Sequence, residues 1–289
     1  MNNVSGPLVS ILMTAYNRER YIAEAIESVL TSTYQNWELI IVDDDSKDDT
    51  VSIAKNYQAT DTRINVYINE HNLGDYANRN KAARYAKGKY LMWCDSDDFF
   101  FPNGVADCIH AMENFPDGGF GLYWAYKEVP PFVRSPLEAV EKNFFGEPFL
   151  GMGPSGTIMK RDYFFEIGCY PTKYGPANDM YFNLKAICYT NTVLIPKLFI
   201  SYRIHDNQER NNKKSYLINN YLYQKDAFKE LPLPLNKQQL QWLGKKNKRR
   251  FFVNLVRYFF DTWNWRETRE LYGASGFQIK DIKEAIFQV

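Results

Sequence analysis

VSILMTAYN, residues 9–17, is an apolar run of β-leaning residues that ends abruptly in polar ones. ELIIVDDDS, residues 38–46, and KYLMWCDSDD, residues 89–98, repeat that pattern. Between the first two, Ile22, Ala25, Ile26, Val29 and Leu30 fall at i, i+3, i+4, i+7 and i+8, which predicts an amphipathic helix over 19–31. A second helix is expected from Ser46, with Asp49 three residues on as a loose capping box. A strand over 63–68 and a helix over 75–86, stopped by Gly88, complete the series. Strand and helix alternate throughout, the order of a parallel, doubly wound α/β sheet. Three polar strand ends, 14–17, 43–46 and 95–98, then meet at the carboxyl edge, where such sheets bind ligands.

The chain has 289 residues, with 35 Lys and Arg against 34 Asp and Glu, so no basic excess advertises nucleic acid as a partner. Its 45% hydrophobic content excludes disorder as a description of the whole. Cys94, Cys108, Cys169 and Cys188 lack zinc-ligand spacing and a disulfide framework. They read as reduced thiols, and a cytoplasmic location is expected. The N-terminus lacks a leader pattern, and no apolar run reaches the roughly 18 residues of a membrane helix. Residues 130–156, rich in Pro, Gly and Phe, read as a long loop or flap. A helix over 179–189 and a strand over 192–202 follow. From Ser215 onward the chain reads helical, aromatic and basic, with a break at LPLPL, residues 231–235. The expected division is a catalytic domain over 1–210 and a helical extension over 211–289.

Asp95 and Asp97, at i and i+2 of an extended strand end, share a face, and Asp98 turns the corner. Crowded carboxylates repel unless a cation or donors compensate. Their hard oxygens suit Mg²⁺ or Mn²⁺, which substrate phosphates usually complete. A solvated acidic turn capping the next helix explains the same residues. Asp43, Asp44 and Asp45 could hold metal or accept from the N3–H of uracil or thymine, or the N1–H of guanine. Tyr16 could stack on such a base. Helix capping by Asp45 or Ser46 accounts for part of that run.

Taken together, VSILMTAYNRERYIAEAIESVL (9–30), ELIIVDDDSKDDT (38–50) and NLGDYANRNKAARYAKGKYLMWCDSDD (72–98) resemble a family 2 glycosyltransferase of GT-A fold. The resemblance covers about residues 7–205. It implies an inverting, metal-dependent transferase that takes a sugar from a nucleotide-sugar, with Mn²⁺ or Mg²⁺ as cofactor. Thr14, Tyr16 and Asp44 would hold the nucleoside, Asp44 on the uracil N3–H. Arg79 and Asn80 fall in a segment near the donor. Asp95, Asp97 and Asp98 match the DXD element, with Asp97 and Asp98 as the metal contacts. Asp179 matches the general base, although Asn178 stands where the family usually has Glu. Taken without the family, Asp179 is a helix N-cap. His205, in YRIHDN, matches a further metal ligand, where the alternative is an exposed loop histidine. The resemblance implies a glycan or lipid-linked acceptor and surface polysaccharide assembly on the inner side of a membrane.

Two other signals do not fit their motifs. GMGPSG, residues 151–156, matches a dinucleotide-binding glycine pattern but precedes a strand rather than a helix. QQLQW, residues 238–242, echoes a processive-synthase motif without its Arg. KKNKRR, residues 245–250, precedes the aromatic FFVNLVRYFF. The segment 245–260 reads as a solvated helix face packed on its other side, a contact in an oligomer, or a patch lying on an anionic membrane. Other function classes are weaker. A sugar-phosphate nucleotidylyltransferase needs a Gly-rich basic loop where TAYNR, residues 14–18, stands. A receiver domain carries its acidic groups after the first and third strands, not the second and fourth. An inactive, scaffold-like transferase should show a broken acidic element or base position, and neither is broken.

Overall fold

The computed structural model describes residues 6–124, 129–204, 212–278 and 280–282. The first half runs β1 (Val9–Ala15), α1 (Ile22–Leu30), β2 (Trp37–Asp43), α2 (Thr50–Thr60), β3 (Ile64–Ile68), α3 (Asp75–Tyr85) and β4 (Tyr90–Trp93). There follow β5 (Phe99–Phe100), α4 (Gly104–Asn114), β6 (Gly118–Tyr123), β7 (Phe132–Arg134) and α5 (Pro136–Phe145). Next come β8 (Thr157–Lys160), α6 (Arg161–Glu166), α7 (Asn178–Tyr189), β9 (Asn191–Ile195) and β10 (Ile200–Ser201). The chain closes with α8 (Lys213–Glu230), α9 (Lys237–Thr262) and α10 (Trp265–Ser275).

Eight strands form one sheet in the order β3-β2-β1-β4-β8-β6-β9-β7. β3, β2, β1 and β4 are mutually parallel, and β8 enters antiparallel beside β4. Both faces of β1 and β2 are buried: Val9, Ile11 and Met13 pack with α1, and Leu12 and Ile40 are covered on the other side. That two-sided burial is why these strands read as unbroken apolar runs rather than alternating ones. In-register pairing of Ala15 with Asp43 brings the ends of β1 and β2 level.

At the opposite edge, one buried network ties three elements together. The Ser10 hydroxyl donates to Glu38 at 2.6 Å, and the Lys87 and Gly88 amides donate to Glu38 and Ser10 at 2.7 and 2.8 Å. A Cβ on Gly88 would lie 2.6 Å from the Ser10 amide nitrogen and 2.7 Å from the Leu8 carbonyl. Both are backbone and cannot swing away. Gly88→Ala is expected to cost about 3 kcal/mol by overpacking and strain, lowering the melting temperature by roughly 6–12 °C. A melt unchanged from the parent would overturn that reading.

The chain divides into two compact units. One comprises residues up to 136 with 151–170 and 189–204, and carries the sheet. The other comprises 137–150, 171–188 and 205 onward. The helical unit is therefore not the contiguous tail expected from 211; α5 and α7 join it. Within it, Tyr221, Phe251, Leu255, Leu271 and Phe277 form the core. Tyr174 and Tyr181 donate to Asp226 and Glu230 of α8 at 2.8 and 2.9 Å. A reciprocal capping box between Asn236 and Gln239 starts α9, directly after the Leu–Pro break.

Three local expectations fail. Residues 130–156 contain β7 and the ten-residue α5, which starts on Pro136 and buries Ala139 and Val140. Pro at a helix start is favoured, so composition misled there. α2 starts at Thr50, not Ser46, because Ser46 turns back to bind the Asp43 carboxylate. The strand expected over 192–202 is split at Pro196 into β9 and β10.

Candidate active site

The three consecutive carboxylates after β2 have three different settings. Asp43 is buried and accepts from the Ser46 amide and hydroxyl at 2.9 and 2.5 Å; burial holds its carboxyl above the ordinary value. Asp45 takes a left-handed φ of 68° and pairs with Lys47 at 2.5 Å. Asp44 is buried, and its carboxylate accepts from Asn69 Nδ2 at 2.6 Å, Leu73 N at 2.8 Å and Gly74 N at 2.9 Å. Gly74, at φ 84°, is the N-cap of α3, so Asp44 organises the loop that launches that helix. A carboxylate offers about four acceptor positions, and the fourth, on Oδ2, is left at Asp44. Asn17 stitches the β1 and β2 ends together: its amide donates to Ser46 Oγ at 2.8 Å and its side chain accepts from Lys47 N at 2.9 Å. Thr14 sits half-buried near the end of β1, and Tyr16 is 46% exposed just beyond it.

Successive residues of α3 point about 100° apart, and Asn78, Arg79 and Asn80 accordingly serve three places. Asn78 joins the Asn69–Asp44 network. Arg79 donates to Asp75 at 2.8 Å and to Asp95 at 2.5 Å. Asn80 spends both ends of its amide on the Tyr170 backbone, at 2.9 and 3.0 Å. The sequence reading set Asn80 beside the donor; here it holds the loop after α6.

The acidic element after β4 is threaded by guanidinium groups. Burial opposes ionisation of Asp95, but the Arg79 charge and hydrogen bond, the Ser155 hydrogen bond and the Arg18 charge together outweigh it and hold the carboxyl below its ordinary value. Asp97 accepts from Arg18 Nε at 3.2 Å. Asp98 is buried and accepts from the Arg203 amide at 3.1 Å. Burial, then the negative charge of Asp95, pushes its carboxyl up to about 8, with Asp97 adding to the push and the Arg203 amide opposing it. Arg203 arrives because β10 pairs antiparallel with β5, immediately after the acidic element. Its guanidinium donates to the Asp97 carbonyl at 3.0 Å and pairs with Glu24 at 2.8 Å.

Sequence reasoning missed Arg18. Nothing local separates it from the exposed Arg20; only the closing of β1 against β4 turns it onto Asp97. His205 lies outside the described residues. Among the described residues no three His, Cys, Asp or Glu side chains converge as a ready metal cage. A magnesium-type ion needs only one or two carboxylates when phosphates supply the rest. The donor set fits such an ion: the hard oxygens of Asp97 and Asp98, with burial and then the Asp95 charge holding the Asp98 carboxyl above its ordinary value.

In the helical unit, Asp179 opens α7, half-buried, with Met180 N donating to its Oδ1 at 2.7 Å. Its negative charge reaches Tyr223, a phenol held above its usual pKa chiefly by burial; Gln224 and Arg250 pull the other way and Asp179 adds to the rise. Asn178 accepts from Tyr174 N at 2.9 Å and donates to the Gly175 carbonyl at 2.7 Å. The second bond needs an amide proton that an ionised Glu lacks, so the turn before α7 is built for Asn.

The family model for glycosyl transferase family 2 matches residues 10–168. The chain is 31% identical over 287 residues to an uncharacterized glycosyltransferase, MJ1057, of Methanocaldococcus jannaschii, covering 88% of each. It is 45% identical over 105 residues to a UDP-Glc:alpha-D-GlcNAc-diphosphoundecaprenol beta-1,3-glucosyltransferase, WfgD, of Escherichia coli. That match spans 36% of this chain and 41% of WfgD. In fold the chain is similar to S. aureus TarS in complex with UDP-GlcNAc, at a TM-score of 0.74 and 18% identity, over 96% of this chain and 81% of that one. A parallel β-α series ending in Asp44 and in Asp95, Asp97 and Asp98, a family match over more than half the length and a relative similar almost end to end agree. The chain is a glycosyltransferase of family 2, with the GT-A fold.

Proposed function

We propose that this transferase moves a sugar from a UDP-sugar to a hydroxyl of a lipid-linked glycan, with inversion and with a divalent cation. The observation that carries the reading is the acidic element after β4, where Asp95, Asp97 and Asp98 crowd together and burial, then the Asp95 charge, pushes the Asp98 carboxyl up to about 8. Asp97, Asp98 and His205 would hold a Mn²⁺ or Mg²⁺ ion, and such an ion would supply positive charge against the leaving diphosphate. Asp44 offers its remaining acceptor position to the N3–H of uracil, and Tyr16 offers an exposed ring for stacking on the base. Asp95, engaged by Arg79 and by the Ser155 side chain, is assigned to a ribose hydroxyl of the donor. Thr14 lines the same edge. Asn80 drops out of the donor contacts, because the Tyr170 backbone engages its amide. Asp179 accepts the proton of the attacking hydroxyl, and the N-terminus of α7 favours its ionised form. The acceptor class is taken from WfgD, whose name gives a diphosphoundecaprenol-linked sugar as its acceptor.

Thermal unfolding with UDP, GDP, CMP and dTDP, each with Mn²⁺ or with EDTA, tests donor and metal together. A ligand at 100 times its Kd stabilises by about 2.7 kcal/mol, which is roughly 5–11 °C for a chain this size. The expected result is a rise with UDP that EDTA abolishes. A rise with GDP instead would overturn the uracil assignment. No rise with any nucleotide would favour a scaffold in place of an enzyme.

A further inference from the structure

α9 carries two apolar stripes where the fold uses one. Leu243, Asn247, Phe251 and Leu255 recur every four residues and are buried in the helical unit. On the opposite face Val253, Val256 and Phe260 recur at i, i+3 and i+7 and are 45%, 39% and 57% exposed. The stripe runs into the α9–α10 turn, where Trp263 and Trp265 are 73% and 68% exposed. Phe259, Phe260, Trp263 and Trp265 form a single ring cluster with centroids 5.4–6.0 Å apart. Trp263 is the C-cap of α9 in the left-handed region, at φ 49° and ψ 26°. A bulky residue there is disfavoured where Gly is at ease. Packing inside the unit does not explain a Trp that is both strained and exposed.

The excess positive charge lies on the outward face of α9, not in the turn. Lys246, Arg249, Arg250 and Arg257 are exposed and share the face of Val253, Val256 and Phe260. From 257 to 270 the charges balance, with Arg257, Arg266 and Arg269 against Asp261, Glu267 and Glu270, and Arg266 pairs with Glu270 at 3.5 Å. Exposed Trp and Phe at the end of a cationic helix are the composition of an interfacial anchor: rings enter the headgroup region and cations meet anionic lipid. No helix among the described residues is long and apolar enough to cross a membrane, so this contact would lie on the surface.

We infer that the outward face of α9 and the turn that ends it, with Phe260, Trp263 and Trp265 as anchors and Lys246, Arg249, Arg250 and Arg257 as the cationic rim, dock on an anionic phospholipid bilayer. The surface is argued from α9 and α10 alone. Its use, holding the enzyme where a lipid-linked acceptor resides, rests on the proposed function, which the nucleotide melts read separately.

Co-sedimentation of the full chain with phosphatidylcholine vesicles, with and without a third of phosphatidylglycerol, tests it. The parent is expected to bind the anionic vesicles and to leave them at high salt. The double variant Trp263→Ala, Trp265→Ala should bind at least tenfold more weakly, with its melting temperature and UDP response unchanged. Arg249→Gln and Arg257→Gln should each weaken binding about fivefold. Equal binding by parent and variants, or no binding by a parent that still responds to UDP, would overturn the inference. So would light scattering that finds a parent dimer dispersed to monomer by the Trp changes, which would assign the tip to a second copy.

Discussion

Exchanging Asp179 for Asn is expected to leave UDP binding intact and to slow transfer about a thousandfold, within the range that a positioned general base contributes. The substitution keeps the shape. Asn Oδ1 can accept from Met180 N as Asp179 Oδ1 does at 2.7 Å, and Asn serves a helix start as well as Asp. The melting temperature should therefore hold. What disappears is a basic oxygen able to take the hydroxyl proton as the sugar transfers. If Asp179 were only a helix cap, the variant would match its parent in both stability and rate. UDP release measured with acceptor present separates the two, and a full rate would remove Asp179 from the chemistry. A variant that also loses its UDP response would point to an indirect effect on the donor side, and would sink the base assignment as well.

The legible part of this molecule is the part written locally. β1, β2 and β4 are apolar runs because the sheet buries them on both faces, and their polar ends mark the carboxyl edge without any tertiary information. The acidic triplets were visible for the same reason. Their division of labour was not. Asp44 looks as available as Asp45 in the sequence, yet three donors from Asn69, Leu73 and Gly74 converge on it. Asn80 finds Tyr170 across 90 residues of chain, and Arg203 finds Asp98 across 105. Such pairings follow from how strands close on one another, and no spacing rule within a segment announces them. The helical unit shows the same limit: α5 and α7 belong with the C-terminal helices because of side chains such as Phe144 and Tyr181 that meet α8, while the order of the sequence suggests a single late extension.

Asp98→Asn should move stability in opposite directions with and without metal, because proton and cation compete for this carboxyl. In the unfolded chain an Asp titrates near 3.9, about the ordinary value; in the fold Asp98 is pushed up to about 8. The folded state thus binds the proton more tightly. Its contribution to stability is complete below about pH 4 and is lost as pH rises through about 8, at up to roughly 1.4 kcal/mol per pH unit. Asn is a neutral isostere that still accepts from the Arg203 amide, so the variant has no such slope. In EDTA near pH 8 it should melt well above its parent, and the two should converge only as pH falls to about 4. Mn²⁺ with UDP reverses the order: the parent gains, since the cation replaces the missing proton, and the variant gains far less. The metal-dependent rise in the parent should also grow between about pH 6 and pH 8, as less proton must be displaced. Melting curves of both proteins across that range, in EDTA and in Mn²⁺ with UDP, read every limb of the argument. Parallel pH profiles in EDTA would show that the acidic element carries no stored charge conflict. An undiminished metal response in the variant would take Asp98 out of the metal site and leave Asp97 as its carboxylate.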